Sequence, residues 1–164
     1  MRTLLESSVR SRVLKIVASV GAILLSGADV LAGPVKIIKA RASGQVVSQG
    51  VCSATEPVLC QVTHVTGTSS VLGTFDGVLS DHIDSTDGTF NGTGVFTMSD
   101  GSTITTEYTG QVGTPLNGVS PFIEFHTVSG GTGKYDGASG TMTVTGTVDG
   151  AGHIEIVGVG TLDK

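Results

Sequence analysis

Two side chains capable of acid–base chemistry, Glu124 and His126, stand two residues apart in the run 122–128. Because residues two apart on a β-strand share a face, this carboxylate and imidazole are expected to lie side by side. If their face lines a dry cavity, the pair could act as general acid and base, and both residues are candidate catalytic groups. If the other face turns inward, the pair is solvated and does no chemistry. Apolar residues occupy both faces of the run, so the pattern leaves both alternatives open.

Tyr108 is the third candidate for chemistry, because alternation places it on an inward face together with Ile104. Its hydroxyl could orient the polar group of a ligand, or it could belong to a core aromatic whose hydroxyl is bonded within the protein. Alternation also turns Phe96 and Met142 inward on other strands. We predict that these four side chains contact an apolar ligand.

Two other polar groups are interpreted as solvated. His153 and Glu155 alternate with isoleucines, which places the polar pair on the outer face of its strand. Asp81, Asp84 and Asp87 are predicted to form an acidic turn, and their spacing fits no calcium-binding loop. No metal site and no cofactor is expected.

The segments that must position these residues are short alternating runs of apolar and polar residues, separated by turn residues. This pattern is typical of an all-β protein. Eight strands are predicted, at 35–41, 58–65, 70–79, 89–98, 102–111, 121–128, 140–148 and 153–162. An antiparallel meander of this kind can close into a barrel, which removes its exposed edges. A barrel of about eight strands is just wide enough to be filled by side chains or to hold one small ligand.

The densest turn signal is the stretch 130–140, which has five glycines in eleven residues. Glycine adopts backbone conformations that are closed to other residues, so this stretch predicts a sharp change of direction between two strands. No helix is expected to follow it, and a phosphate-binding loop is therefore not predicted.

The first 32 residues have the organisation of a signal peptide, followed by a single barrel domain over 33–164. A basic segment precedes the apolar run 16–25, and Val30-Leu31-Ala32 offers small residues for cleavage before Gly33. A spanning helix needs about 20 apolar residues, so this run is too short for an integral membrane anchor. An uncleaved amphipathic helix is the alternative. The pattern predicts a secreted or periplasmic protein.

The cysteines and the charge agree with export. Cys52 and Cys60 are the only cysteines, and an even count in an exported protein predicts a disulfide bond. After residue 32, five basic residues stand against twelve acidic ones, a net charge of −7. A negative chain without a basic patch argues against nucleic acid as a partner.

The glycine-rich stretch resembles a known element. Gly130-Gly131-Thr132-Gly133, with Tyr135 two residues later and the small residues Ala138 and Gly140 before the next strand, is similar to the strand–turn–strand element of the allene oxide cyclase barrel family and of the related dirigent proteins. The resemblance implies an eight-stranded antiparallel barrel that is often a homo-oligomer. The family includes cyclases of a fatty-acid epoxide, dirigent proteins that steer radical coupling, and bacterial exported members.

The family's chemistry does not transfer with its architecture. The pocket residues of the plant cyclases have no identified counterparts in this chain. Dirigent proteins use acidic and arginine side chains in the cavity, whereas Arg41 is the only arginine after residue 32 and is expected to precede the barrel. Three functions remain open: binding of a small apolar ligand, a cyclase or isomerase acting on such a ligand, and a structural or interaction module with a filled barrel.

Overall fold

The computed structural model describes residues 34–52 and 57–164, and the predicted signal peptide at 1–32 lies outside the described residues. The described chain forms eight β-strands and one short 3-10 helix. The strands are β1 (Lys36–Val51), β2 (Val58–Ser69), β3 (Gly73–Asp84), β4 (Thr89–Met98), β5 (Thr103–Val112), β6 (Val119–Thr132), β7 (Ser139–Asp149) and β8 (His153–Asp163), and the 3-10 helix is Gly133–Tyr135. In the part of the chain that the structure describes, no helix is long and apolar enough to cross a membrane.

Each strand pairs antiparallel with the next, and β1 pairs with β8, so that the sheet closes into a barrel. The predicted fold class is confirmed. Alternation decides the two surfaces: Val144 and Ile154 are buried inside, whereas the threonines of β7 are exposed outside. His153 and Glu155 are exposed, as predicted.

Several strands extend past their predicted bounds, and the extensions of β1 and β3 matter most for the interior. β1 continues past Arg41 to Val51, so Arg41 lies within the barrel wall, with its side chain exposed. The second half of β1 contains small and polar residues, including Gly44, and its apolar residues do not alternate regularly with polar ones. Pairing with β2 as far as Val51, and with β8 as far as Gln45, holds it in the sheet nevertheless. β3 likewise continues past Leu79 to Asp84.

The two ends of the barrel differ in their connections. At one end, which we call the closed end, the 3-10 helix of the β6–β7 connection lies across the interior, and its Tyr135 is buried with Ala138. The glycine-rich stretch is therefore the turn of a hairpin, as predicted. The opposite end, which we call the cavity end, carries the β1–β2, β3–β4, β5–β6 and β7–β8 connections.

Large side chains fill the closed end. Phe75 and Phe96 pack edge to face with their ring centroids 5.6 Å apart. Ile104, Met98 and Leu162 are each no more than 3% exposed. The voids left in this half of the interior measure about 40 and about 30 Å³, which is too small for a ligand beyond a few atoms.

The predicted disulfide between Cys52 and Cys60 is confirmed, with the two Cα atoms 5.1 Å apart. Leu59 and Gln61 on either side of Cys60 turn into the barrel, so the disulfide lies on the outer surface of the cavity end. It ties the end of β1 to the start of β2.

Candidate ligand-binding site

The cavity end contains an internal cavity of about 290 Å³. Its walls are mainly apolar and come from all eight strands. The apolar side chains that line it are Leu59, Leu79, Ile83, Phe90, Val112, Phe122, Val148, Ile154 and Ile156. Ligand sites are typically mostly apolar concavities with a few convergent polar groups. The cavity has this character, because carboxyl groups lie among the apolar residues at its inner limit, which we call the floor.

Glu124 and His126 face the interior of the barrel. Glu124 is 6% and His126 3% exposed, whereas Phe125 between them is 55% exposed. Of the two orientations that the sequence left open, the inward one is correct. The choice is made by the pairing of β6 with β5 and β7, which places His126 beside the buried Tyr108.

The imidazole of His126 is bonded on both sides. Its Nε2 lies 2.8 Å from Glu124 Oε2, and its Nδ1 lies 3.1 Å from Thr106 Oγ1. A carboxylate only accepts hydrogen bonds, so Nε2 donates to Glu124. In the neutral imidazole, Nδ1 then accepts from the hydroxyl of Thr106. Both ring nitrogens of His126 therefore have a hydrogen-bond partner within the protein.

Tyr108 connects this pair to a second buried carboxyl. The Tyr108 ring stacks on the imidazole of His126, with a centroid distance of 4.4 Å. Its hydroxyl donates a hydrogen bond of 2.5 Å to Asp81 Oδ1. Burial, reinforced by the neighbouring Asp81 charge, raises the pKa of Tyr108 well above its ordinary value, so the phenol stays protonated and remains the donor.

Asp81 is the most perturbed acid at the floor. Burial, with a smaller contribution from the charge of Glu124, raises its pKa from 3.8 to about 6, although hydrogen bonds from Tyr108 and Gln61 oppose the rise. Asp81 is 7% exposed and lines the cavity. A carboxyl that titrates near neutral pH in a cavity is a typical feature of functional sites.

The register of the sheet builds this floor. Asp81 pairs with Gly92 on β4, Gly92 with Tyr108 on β5, and Tyr108 with His126 on β6. A Cβ atom on Gly92 would lie 2.6 Å from the Tyr108 hydroxyl oxygen. Glycine at this position therefore lets the tyrosine lie flat over β4 and reach Asp81 on the next strand.

The residues predicted to contact a ligand lie in different parts of the interior. Phe96, Ile104 and Met142 surround the void of about 40 Å³ at the closed end. Tyr108 lies beneath the floor with its hydroxyl bonded to Asp81, which is the second of the two alternatives that the sequence left open. Glu124 lines the large cavity, whereas His126 supports it from behind.

Sequence reasoning missed Asp81. Its placement in a solvated turn was wrong, because β3 continues through it and turns its side chain inward. A signal was present, since Asp81 has the same parity as Phe75, Leu79 and Ile83, which all point inward. Asp84 is the last residue of β3, and Asp87 lies in the turn that follows; both accept hydrogen bonds from threonine backbone and hydroxyl groups.

Comparison of the chain with models of known protein families and with curated proteins finds no match. The family resemblance carried by the stretch 130–140 therefore stays a prediction.

Proposed function

We propose that this protein binds a small, mainly apolar molecule in the cavity at one end of its barrel. The observation that carries the proposal is a cavity of about 290 Å³ with apolar walls and buried carboxyl groups at its floor. Apolar cavities of about 150 Å³ are already large enough to bind benzene. The cavity of this protein, at about 290 Å³, is roughly twice as large and has room for a compact ligand larger than benzene.

The contrast with the closed end supports binding over a purely structural barrel. This chain fills the closed end until only voids of about 40 and 30 Å³ remain. Burial of a carboxyl group away from water costs free energy, and apolar residues of similar volume usually stabilise a core as well or better. Asp81 and Glu124 are therefore better explained by what they could contact in the cavity.

A cyclase or isomerase acting inside the cavity is the second candidate. It is favoured by the pKa of Asp81, which burial raises to about 6, because a general acid or base works best when its pKa lies near the working pH. Glu124, bonded to His126, could take the opposite role in a proton transfer. Native mass spectrometry of protein purified from its own host would identify a bound molecule. Conversion of that molecule by the wild type but not by Asp81→Asn would establish the enzyme, whereas equal recovery of unchanged molecule would refute it.

Export and membership of the allene oxide cyclase-like barrels are part of the proposal. Export is supported by the disulfide between Cys52 and Cys60, since such bonds persist in oxidising compartments. Membership is supported by the closed barrel of eight antiparallel strands and by the place of the glycine-rich turn between β6 and β7. A homo-oligomer stays a prediction.

Binding can be tested with Prodan, an uncharged naphthalene dye whose emission shifts to the blue in apolar surroundings. The wild type should bind it with a blue shift that saturates at one dye per cavity. The double variant Val112→Phe, Val148→Phe places two rings inside the cavity and should bind at least tenfold more weakly.

The matched control is Val95→Phe, Val157→Phe, because these valines are 44% and 46% exposed on the outer surface. It makes the same chemical change outside the cavity and should bind like the wild type. A wild type that gives no saturable shift would contradict the proposal, as would equal loss of binding in both double variants.

A further inference from the structure

We infer that the ligand carries a protonated amine as its head group, held at the carboxyl floor, with its apolar body against the walls. This inference rests on the proposed function, and it adds the chemical class of the ligand.

The charges that line the cavity are all of one sign. Asp81, Asp84 and Glu124 contribute carboxyl groups to its surface. Among the described residues, neither lysine nor arginine lines it. The nearest base is His126, which is 3% exposed behind the floor and already bonded to Glu124 and Thr106. One imidazole cannot neutralise three carboxylates, so a positive charge brought by a ligand is favoured.

Glu124 has an oxygen available for that ligand. Its Oε2 is bonded to His126, while none of the described residues donates a hydrogen bond to its Oε1. The side chain is 8% exposed and lines the cavity. Oε1 is also not completely enclosed by protein. Among the described residues, the polar side-chain atom that is both completely enclosed and without a partner is Asp163 Oδ1, not an atom of Glu124. Glu124 lines both the cavity and the neighbouring void of about 30 Å³, so its free acceptor faces the barrel interior, where the cavity is the space large enough for a ligand.

An ammonium group suits this floor better than the other common head groups. It supplies three donors and a positive charge, so it can bond Glu124 and Asp81 together. Hydrogen bonds between charged partners are roughly twice as strong as neutral ones. A hydroxyl supplies one donor and no charge. A carboxylate adds a like charge to a poorly solvated site and raises the free energy of the complex.

Three probes with the same alkyl chain separate these head groups. Octylamine, octanol and octanoate are titrated against the wild type at pH 7.5, with displacement of Prodan as the readout. We expect octylamine to bind at least tenfold more tightly than octanol, and octanoate to bind most weakly. Octanol or octanoate binding as tightly as octylamine would overturn the amine assignment and leave the cavity as a binding site. If Prodan does not bind and its emission does not shift to the blue, the proposed function itself is overturned.

Variants locate the effect at the floor. Glu124→Gln keeps the size of the side chain and removes its charge, and we expect it to weaken octylamine binding at least tenfold while octanol binding changes by less than threefold. Asp76→Asn is the control, since Asp76 lies on β3 like Asp81 but points outward and is exposed. It should leave both affinities unchanged.

Equal weakening of octylamine binding by Glu124→Gln and Asp76→Asn would assign the effect to overall charge and overturn the inference. If Glu124→Gln fails to fold, the order of the three probes on the wild type decides by itself.

Discussion

The two ends of the barrel are built from the same eight strands, yet one end is filled and the other is hollow. At the closed end, Phe75, Phe96 and Tyr135 occupy the interior under the 3-10 helix. At the cavity end, aliphatic side chains together with Phe90 and Phe122 leave about 290 Å³ open above Asp81 and Glu124. Alternation decides which side chains point inward at both ends. Their size and polarity decide whether the interior becomes a core or a site.

This difference explains why the glycine-rich turn carries no chemistry. It belongs to the closed end, where it lets the chain bend over the interior and bury Tyr135 and Ala138. The residues that could act on a ligand lie beyond a packed layer, toward the other end. If the account is right, substitutions at the closed end should affect mainly stability, and those at the cavity end should affect mainly binding.

The largest expected effect comes from the same substitution made at each end. Leu162→Ala removes a side chain that is 1% exposed at the closed end, and should lower the free energy of unfolding by about 2.5–5 kcal/mol because packed neighbours cannot collapse into the space. Leu59→Ala, which borders the existing cavity, should cost about 1 kcal/mol, since it removes fewer contacts. Urea denaturation of both variants measures the difference. Equal costs would mean that the ends are packed alike.

The pH dependence of stability should show the buried carboxyl of the cavity end. The pKa of Asp81 is about 6 in the folded protein and 3.8 in the unfolded chain. Between these values the folded state binds more protons, so stability increases as the pH falls from 7 to 4. Relative to Asp81→Asn, the wild type should gain up to about 3 kcal/mol over this range. The free energy of unfolding of the wild type, measured relative to Asp81→Asn, should therefore rise on acidification. If this difference stays constant or falls, Asp81 is not buried as described.

An acid at the closed end should behave in the opposite way. A hydrogen bond from Lys134 lowers the pKa of the exposed Asp100 to about 2. Its contribution is present above the unfolded pKa and is lost as the pH falls through the folded value. The difference between the wild type and Asp100→Asn should therefore shrink on acidification, the reverse of the trend for Asp81.

Loss of the disulfide should destabilise the cavity end selectively. The bond joins cysteines eight residues apart, and replacing both with serine should cost roughly 2–3 kcal/mol by the loop-entropy relation. Amide hydrogen exchange should quicken at the end of β1 and the start of β2, where the bond lies. Equal quickening around Leu162 would show that the two ends do not open separately.

A further comparison concerns the two tyrosines of the chain, Tyr108 and Tyr135. Tyr108→Phe removes the donor that bonds Asp81, and leaving that buried carboxyl with fewer partners should cost about 1–3 kcal/mol at pH 7.5. It should also raise the pKa of Asp81 further, which carboxyl NMR can follow. Tyr135→Phe keeps the ring that fills the closed end and should cost less than about 1 kcal/mol. The reverse order would mean that the Tyr108–Asp81 bond is weak.

The fold could be predicted from the sequence because its signals are local. Alternating residues and turn residues specify eight strands, and a barrel is the arrangement that leaves no edge exposed. Strand length was harder to predict. In the second half of β1, apolar residues do not alternate regularly with polar ones. It is held by pairing with β2 as far as Val51 and with β8 as far as Gln45, and these partners are distant in the sequence.

The site could be predicted only in part, because it joins residues from different strands. Glu124 and His126 are neighbours on β6, so their pairing was visible in the sequence. The contact of Tyr108 with Asp81 depends on Gly92, which lies between them in the register. Which end stays hollow depends on the total volume of the inward-facing side chains at that end. These side chains come from many strands, so no local sequence pattern predicts the cavity.

A crystal structure of the protein under xenon pressure tests the central claim most directly, because xenon occupies apolar cavities without regard to head-group chemistry. We predict xenon density at the cavity end, among Leu79, Phe90 and Ile154, and no density in the smaller voids beside Phe96 and Met142. A cavity end filled by side chains, without xenon, would contradict the account, and so would equal occupancy at the two ends.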